Sequence, residues 1–161
     1  AGNETTRNTI SGGLVELARR PDEWTRLRED RSLVPTAVDE ILRWTTAVVS
    51  FMRTATIDTE LAGQPIAAGD PVLMLYASAN RDESQFGPTA DTFDAGREPN
   101  HHLAFGFGAH YCIGAALARL EIRVLLEMLL DRFATVHSAG EVTRSPSEII
   151  AGVTRAPLVF G

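Results

Sequence analysis

One ten-residue segment restricts the possible folds of this chain more than any other: residues 105–114, "FGFGAHYCIG", which hold the only cysteine among 161 residues. Apolar residues then recur at positions 113, 117, 120, 124 and 128, which predicts a helix that ends near Phe133. Cys112 therefore lies at the start of a long helix, where free backbone N–H groups and the helix dipole favour an anion. We expect its thiol to ionise readily.

The residues by themselves leave the role of Cys112 open. A lone cysteine is most often a small buried hydrophobic residue. A thiolate paired with His110 could instead act as a nucleophile. Gly106 and Gly108 suit a dinucleotide-binding loop, but Tyr111 stands where such a loop needs its third glycine. A thiolate among hydrogen-bond donors also suits an axial ligand of haem iron.

Composition narrows the class of protein. A single cysteine cannot form an internal disulfide, which is typical of a reducing, cytoplasmic setting. The net charge of −6 argues against nucleic acid as a partner. The apolar runs are too short to cross a bilayer, so we expect no membrane span. The opening stretch "AGNETTRNTISGGLVELARR" resembles a helix entered partway along, which predicts that the chain belongs to a longer protein.

The positions of prolines and turn residues along the chain predict a mainly α-helical fold with minor β-structure. Pro21 ends one helix and starts the next, and "PTAVDEILRW" starts a third in the same way. Short strands that form a small sheet are predicted from "SFMRTATID" to "DPVLMLY", and one or two short strands are predicted in the tail "IIAGVTRAPLVFG". Residues 80–104 are rich in Gly, Pro, Asp and Asn, which predicts a long ordered loop of functional importance.

The pattern Phe105-x-x-Gly108-x-His110-x-Cys112-x-Gly114 resembles the cysteine-ligand signature of the cytochrome P-450 superfamily. The resemblance implies that Cys112 is the metal ligand, the proximal thiolate of haem b. It also implies that Phe105 packs near the ligand loop, that Gly114 belongs to the cofactor-binding loop, and that His110 contacts a haem propionate.

Three further residues resemble the structural motif of the same family. Glu40-x-x-Arg43 has i,i+3 spacing, which by itself predicts no more than a weak exposed ion pair. The resemblance implies that the pair joins Arg97 of "FDAGR" in a buried cluster that positions the Cys112 loop. Arg53 of "FMRTATID" stands where the family has an arginine that binds a haem propionate.

The segment "AGNETT" resembles the oxygen-binding part of the family's distal helix. By this resemblance, Gly2 leaves room for a diatomic ligand, while Glu4 and the hydroxyl of Thr5 are the catalytic groups that deliver protons. An acid beside an alcohol suits that task. Alternatively, Glu4 and Thr5 are two ordinary polar residues on a helix surface.

Two segments, "TAVVSF" and "AGVT", match regions that line the family's substrate pocket. Their apolar residues Val48, Val49, Phe51 and Val153 favour a lipid-like or sterol-like substrate. Plain core packing would explain the same residues.

Together these matches imply that residues 1–161 are the C-terminal fragment of a single haem-thiolate monooxygenase domain. The fragment would hold the second half of the distal long helix, the ExxR helix, a small β-sheet, the meander loop, the Cys-ligand loop and the following long helix. It is most similar to soluble actinobacterial hydroxylases of sterols and branched lipids. Their type implies dioxygen as co-substrate and a ferredoxin-type electron donor, for which Arg119 and Arg123 are candidate contacts.

Two alternatives remain at this point: a non-catalytic haem-binding or sensor module, and a truncated chain that folds without haem. The acid–alcohol pair favours the enzyme, because a sensor needs no proton delivery. We expect the fragment alone to be inactive, and to self-associate or require a missing N-terminal half. The expected cause is an uncovered apolar patch formed by Ile10, Leu14, Leu17, Leu125 and Leu129.

Overall fold

The computed structural model describes residues 2–161 as a set of helices with short β-ribbons. The helices are α1 (Glu4–Arg19), α2 (Pro21–Glu29), α3 (Val34–Thr45), α4 (Tyr76–Ala79), α5 (Glu83–Phe86) and α6 (Ala115–Arg132). The strands are β1 (Ser50–Thr54), β2 (Thr59–Leu61), β3 (Gln64–Ile66), β4 (Pro71–Leu75), β5 (Val136–Ser138), β6 (Thr143–Arg144), β7 (Val153–Arg155) and β8 (Leu158–Phe160). The prediction of a mainly helical fold with minor β-structure is confirmed.

Proline sets the helix boundaries near the amino end of the chain. Pro21 occupies the first turn of α2, and Pro35 the first turn of α3, which starts one residue before the predicted position. Proline suits these positions because its missing N–H would have no partner within the helix. The predicted break between the first two helices is therefore confirmed.

The core lies where α1, α2, α3 and α6 meet. A Cβ atom at Gly13 of α1 would lie only 2.5 Å from the Ile41 side chain of α3, so these two helices pack closely because position 13 has no side chain. Each fully buried aliphatic or aromatic side chain contributes about 1.5–3 kcal/mol of transfer free energy. The fully or nearly fully buried members are Leu17, Trp24, Leu27, Ile41, Ile122, Leu126 and Leu130.

Helix α6 buries a different face from the one that its apolar periodicity suggests. The predicted stripe is exposed to solvent, and Leu117 and Met128 are 58% and 63% exposed. The buried face consists of Ala115, Ile122, Leu126 and Leu130. Because α6 is apolar on more than one face, periodicity finds a helix but does not say which face packs.

The expected apolar patch is likewise corrected. Leu17 is fully buried in the core, and Ile10, Leu14, Leu125 and Leu129 are only partly exposed. The exposed apolar surface instead follows α6 and the residue before it. Its members, here called the α6 apolar face, are Ile113, Leu117, Leu120, Val124 and Met128.

Within residues 2–161 the strands form four two-stranded antiparallel ribbons, where the sequence predicts a small sheet between residues 50 and 75. Strands β1 and β4 pair with each other, as do β2 and β3, β5 and β8, and β6 and β7. Each strand is short and has a single partner, so no ribbon extends into a wider sheet. The predicted loop 80–104 contains α5 and a one-turn 3-10 helix, Gly87–Thr89. No helix of the described residues is long and apolar enough to cross a membrane.

Candidate functional site

Hydrogen bonds close the loop that carries the cysteine. The Cys112 N–H donates to the carbonyl oxygen of Phe105 at 3.0 Å, and the Ala115 N–H donates to the Cys112 carbonyl oxygen at 3.2 Å. Gly106 and Gly108 have φ values of +72° and +70°, which residues with a side chain rarely adopt. The thiol lies in an exposed residue three positions before α6. The loop therefore holds its sulfur at the surface beside a helix start.

Phe105 anchors this loop to the protein interior. Its ring packs against the core cluster. It makes a tilted contact with His102 and an edge contact with Tyr111, at centroid distances of 5.9 and 6.3 Å. The carbonyl oxygen of the same residue accepts the Cys112 N–H. The position of the cysteine backbone is thus tied to a packed aromatic side chain.

The two residues that are predicted to bind the cofactor carboxylates are exposed. Arg53 lies on β1, opposite Val72, and His110 ends the 3-10 turn Gly108–His110. Gly114 is the partly exposed residue before the first turn of α6. The residue types fit a cofactor that carries carboxylates, because the Arg53 guanidinium can form charge-assisted hydrogen bonds with them and the imidazole of His110 can donate an N–H.

The structure brings Glu40, Arg43 and Arg97 into one buried ion cluster. Arg43 donates two hydrogen bonds to the Glu40 carboxylate, of 2.7 and 2.8 Å. Both side chains are fully buried. The Nε atom of Arg97 lies 3.2 Å from the same carboxylate. Asn100 Nδ2 and the Asp94 N–H donate to it as well, each at 3.0 Å. The loop before the cysteine is therefore bound to α3 at several points.

Backbone carbonyl oxygens satisfy the rest of the two guanidinium groups. Arg43 donates to the carbonyl oxygens of Asn80, Ala90 and Thr92, at 2.6, 2.8 and 3.1 Å. Arg97 donates to Thr92 and to Thr89 at 2.8 Å each. A buried charge is tolerated only when its hydrogen-bonding capacity is met, as it is here.

Asn80 is a structural residue that the sequence reasoning missed. It is fully buried, and its side chain bridges Thr46 and Leu103: Nδ2 donates to Thr46 Oγ1 at 2.9 Å, and Oδ1 accepts the Leu103 N–H at 2.7 Å. A polar residue in a Gly- and Pro-rich loop resembles any other loop residue, so the sequence carries no signal for this role.

A second ion-pair network, also missed, joins α3, the loop and α6. Asp39 accepts hydrogen bonds from His102 Nε2 at 3.2 Å and from Arg119 Nε at 2.8 Å. Burial opposes ionisation of Asp39, but these two hydrogen bonds outweigh it and hold the pKa of its carboxyl below the usual range. Arg119 is thus a partly exposed ion-pair partner of Asp39, and its predicted contact with an electron donor stays a prediction. Arg123 pairs with Glu127 at 2.8 Å on the exposed side of α6.

Glu4 and Thr5 form the first turn of α1, where Glu4 is exposed and Thr5 partly buried. The Thr9 hydroxyl donates to the Thr5 carbonyl oxygen at 2.9 Å. Gly2, also predicted here, precedes the helix with a φ of +91°.

The structure places the two predicted pocket-lining segments side by side. Val48 forms a β-bridge with Ile150, and the Ala151 N–H donates to the Ala47 carbonyl oxygen at 2.9 Å. Val48, Val49 and Val153 are partly buried, and Phe51 is 46% exposed with its ring against Tyr76. Segments about a hundred residues apart in sequence thus form one partly apolar surface.

The donor set around Cys112 fits a haem. Among residues 2–161, no three or more His, Cys, Asp or Glu side chains cluster closely enough to hold a metal ion. A cysteine thiolate is one of the side chains that ligate haem iron. The Arg53 guanidinium and the N–H donor of the His110 ring match the carboxylates that a haem carries.

Comparisons with known proteins agree with this geometry. The Cytochrome P-450 family model matches residues 1–158. The chain is 48% identical to the methyl-branched lipid omega-hydroxylase of Mycobacterium bovis over 162 residues, which is 99% of this chain and 38% of that protein. It is 44% identical to the steroid C26-monooxygenase of Mycolicibacterium smegmatis over 161 residues, 99% of this chain and 40% of that protein.

A solved structure shows the same likeness in three dimensions. The crystal structure of CYP108D1 from Novosphingobium aromaticivorans superposes with a TM-score of 0.93 and 48% sequence identity, covering 99% of this chain and 39% of that one. The chain thus spans about two fifths of the length of the proteins that it matches. The family match over nearly every residue, the fold and the cysteine loop all agree, and the chain belongs to the cytochrome P-450 family.

Proposed function

We propose that this chain is the thiolate-bearing part of a haem-dependent monooxygenase that acts on an apolar, lipid-like or sterol-like substrate. The observation that carries the proposal is the cysteine loop. An exposed thiol lies next to a helix start, its backbone is fixed by the carbonyl oxygen of Phe105, and the preceding loop is bound to α3 by buried ion pairs.

In this proposal Cys112 ligates the iron of haem b, and Arg53 and His110 bind the propionates. Phe105 and Gly114 fix the shape of the ligand loop. When bound, the haem supplies the activation of dioxygen and the insertion of one oxygen atom into a C–H bond. The protein supplies the thiolate, the orientation of the cofactor and the exclusion of water.

Glu4 and Thr5 are proposed to deliver protons to bound dioxygen. An exposed carboxylate in the first turn of α1 can collect a proton from solvent, and the neighbouring hydroxyl can pass it on. Both residues lie in the first turn of α1.

Val48, Val49, Phe51 and Val153 are proposed to contact the substrate. Support comes from the juxtaposition of their segments and from the names of two relatives, a steroid C26-monooxygenase and a methyl-branched lipid omega-hydroxylase. Apolar side chains recognise such substrates by excluding water rather than by forming hydrogen bonds.

The chain is further proposed to act within one larger catalytic domain that receives electrons from a ferredoxin-type protein. The chain spans 38–40% of two of its relatives, which supports the larger domain. The exposed α6 apolar face also needs a covering partner. Residues 1–161 expressed alone should therefore self-associate and lack coupled turnover.

The test is the carbonyl spectrum of the full-length protein after reduction with dithionite. The wild type should show the strongly red-shifted band of thiolate ligation, and Cys112→His should abolish the band and the hydroxylation of lipid substrates. Ala109→Ser, an exposed substitution in the same loop, should leave both unchanged. A red-shifted band in the Cys112→His protein would disprove the ligand assignment.

A further inference from the structure

Three polar side chains from three parts of the chain meet beneath the cysteine loop. Asp39 lies on α3, His102 in the loop and Arg119 on α6; the latter two both reach one oxygen of Asp39, at 3.2 and 2.8 Å. His102 is 4% exposed at its side chain, so it is held inside the protein rather than at its surface. This network uses none of the residues of the Glu40 cluster.

The hydrogen bonds of His102 assign the tautomer of its neutral ring. Its Nδ1 atom accepts the backbone N–H of Ala104 at 3.2 Å, so in the neutral ring the proton resides on Nε2. That proton points to Asp39. The imidazole thus links the loop backbone to α3 through both of its nitrogen atoms.

Arg119 extends the network to the cysteine loop. Its guanidinium carbon lies 4.7 Å from the centroid of the Phe105 ring, within the range of a cation–π contact. Its Nη1 atom donates to the Tyr111 hydroxyl at 3.3 Å. Phe105 accepts the Cys112 N–H, and Tyr111 is the residue before Cys112. One guanidinium therefore touches both ends of the loop that presents the thiol.

We propose that Asp39, His102 and Arg119 are positioning residues that hold the Cys112 sulfur in the geometry needed for iron ligation. The inference rests on the proposed haem-thiolate function. Asp39 orients the Arg119 guanidinium, and the guanidinium holds the Phe105 ring and the Tyr111 hydroxyl. The contacts of Arg119 with Phe105 and Tyr111 thereby hold the cysteine loop, while the neighbouring Glu40 holds the segment that precedes it.

Two consecutive residues of α3, Asp39 and Glu40, allow this one helix to hold both the cysteine loop and the segment that precedes it. Consecutive residues on a helix point about 100° apart, so the two carboxylates face different parts of the chain. Glu40 contacts Arg97 and Asn100, and Asp39 contacts His102 and Arg119. Loss of the Asp39 network should loosen the cysteine loop without unfolding the loop that Glu40 holds.

The test uses the full-length holoprotein with Arg119→Met and the matched control Arg123→Met, which alters an exposed arginine one turn further along the same helix. We expect Arg119→Met to lose the red-shifted carbonyl band at least threefold faster in mild denaturant. We also expect the amide hydrogens of residues 105–112 to exchange at least threefold faster, because the Cys112 N–H bond opens more often. Arg123→Met should match the wild type in both measurements.

Arg119→Lys keeps the charge over Phe105 but lacks the planar fork, so it should fall between wild type and Arg119→Met. If Arg119→Met yields no soluble protein, the two rates are compared between Arg119→Lys and Arg123→Met instead. The inference is overturned if Arg119→Met, or in its absence Arg119→Lys, matches Arg123→Met in both rates. A wild type without the red-shifted band would refute the proposed function instead, and the exchange rates would still test the network.

Discussion

Arg43 offers the strongest test of how the loop before the cysteine is held. It forms five hydrogen bonds: two to the Glu40 carboxylate and three to backbone carbonyl oxygens. Arg43→Ala removes all five and leaves a cavity in a fully buried site. The three carbonyl oxygens lose a charged donor that water cannot easily replace there.

The expected loss follows from what remains. Breaking a buried ion pair by removing one partner costs about 3–5 kcal/mol. Arg97, Asn100 and the Asp94 N–H still contact Glu40, so its charge is not left alone, and we expect the lower part of that range. Since a typical domain unfolds with about 5–15 kcal/mol, this loss would release haem or yield insoluble protein.

The measurement is guanidinium unfolding of the full-length holoprotein, followed by tryptophan fluorescence and haem absorbance. Arg31→Ala is the control, because Arg31 forms an exposed ion pair with Asp131 at 2.8 Å that should contribute less than about 1 kcal/mol. Arg43→Lys should behave more like alanine than wild type, because a single ammonium cannot reproduce the bidentate contact. A holoprotein of Arg43→Ala as stable as Arg31→Ala would refute the reasoning.

Three further predictions concern protons, pH and association. Thr5→Ala in the full-length protein should retain haem and substrate binding but divert reducing equivalents to peroxide; NAD(P)H consumption still fully coupled to product would contradict its role. Burial opposes ionisation of Asp94, but hydrogen bonds from Arg26 and the Gly96 N–H prevail and lower its pKa, so its stabilisation is present above about pH 3.8 and disappears as pH falls through the folded-state pKa. The stability difference between wild type and Asp94→Asn, below about 1 kcal/mol at neutral pH for this partly exposed pair, should therefore vanish in acid, and a difference that persists at pH 2 would refute this. Residues 1–161 expressed alone should form oligomers in light scattering, and Leu117→Glu should reduce their mass; a monomeric wild-type chain would exclude an interface at the α6 apolar face.

The parts of the site that are local in sequence could be predicted from it. The loop around Cys112 is defined by glycines and a helix start within ten residues, and the Glu40–Arg43 pair follows from i,i+3 spacing. Pro21 marks a helix boundary because its ring and missing N–H restrict the backbone at that residue. Such features depend on neighbours along the chain, so they are visible without a fold.

Only the tertiary structure shows which helix faces are buried and which distant charges pair, because both depend on which surfaces meet. Helix α6 has apolar residues on more than one face. Its packing in the core buries Ile122 and Leu126 and leaves Leu117 exposed. The network of Asp39 and Arg119 joins residues eighty positions apart, and no period or motif relates them. The sequence by itself predicted the four long helices, the cysteine loop and the family. The fold determined which face each helix buries and which charges pair, because burial and ion pairing arise only when distant segments are brought within a few ångströms of each other.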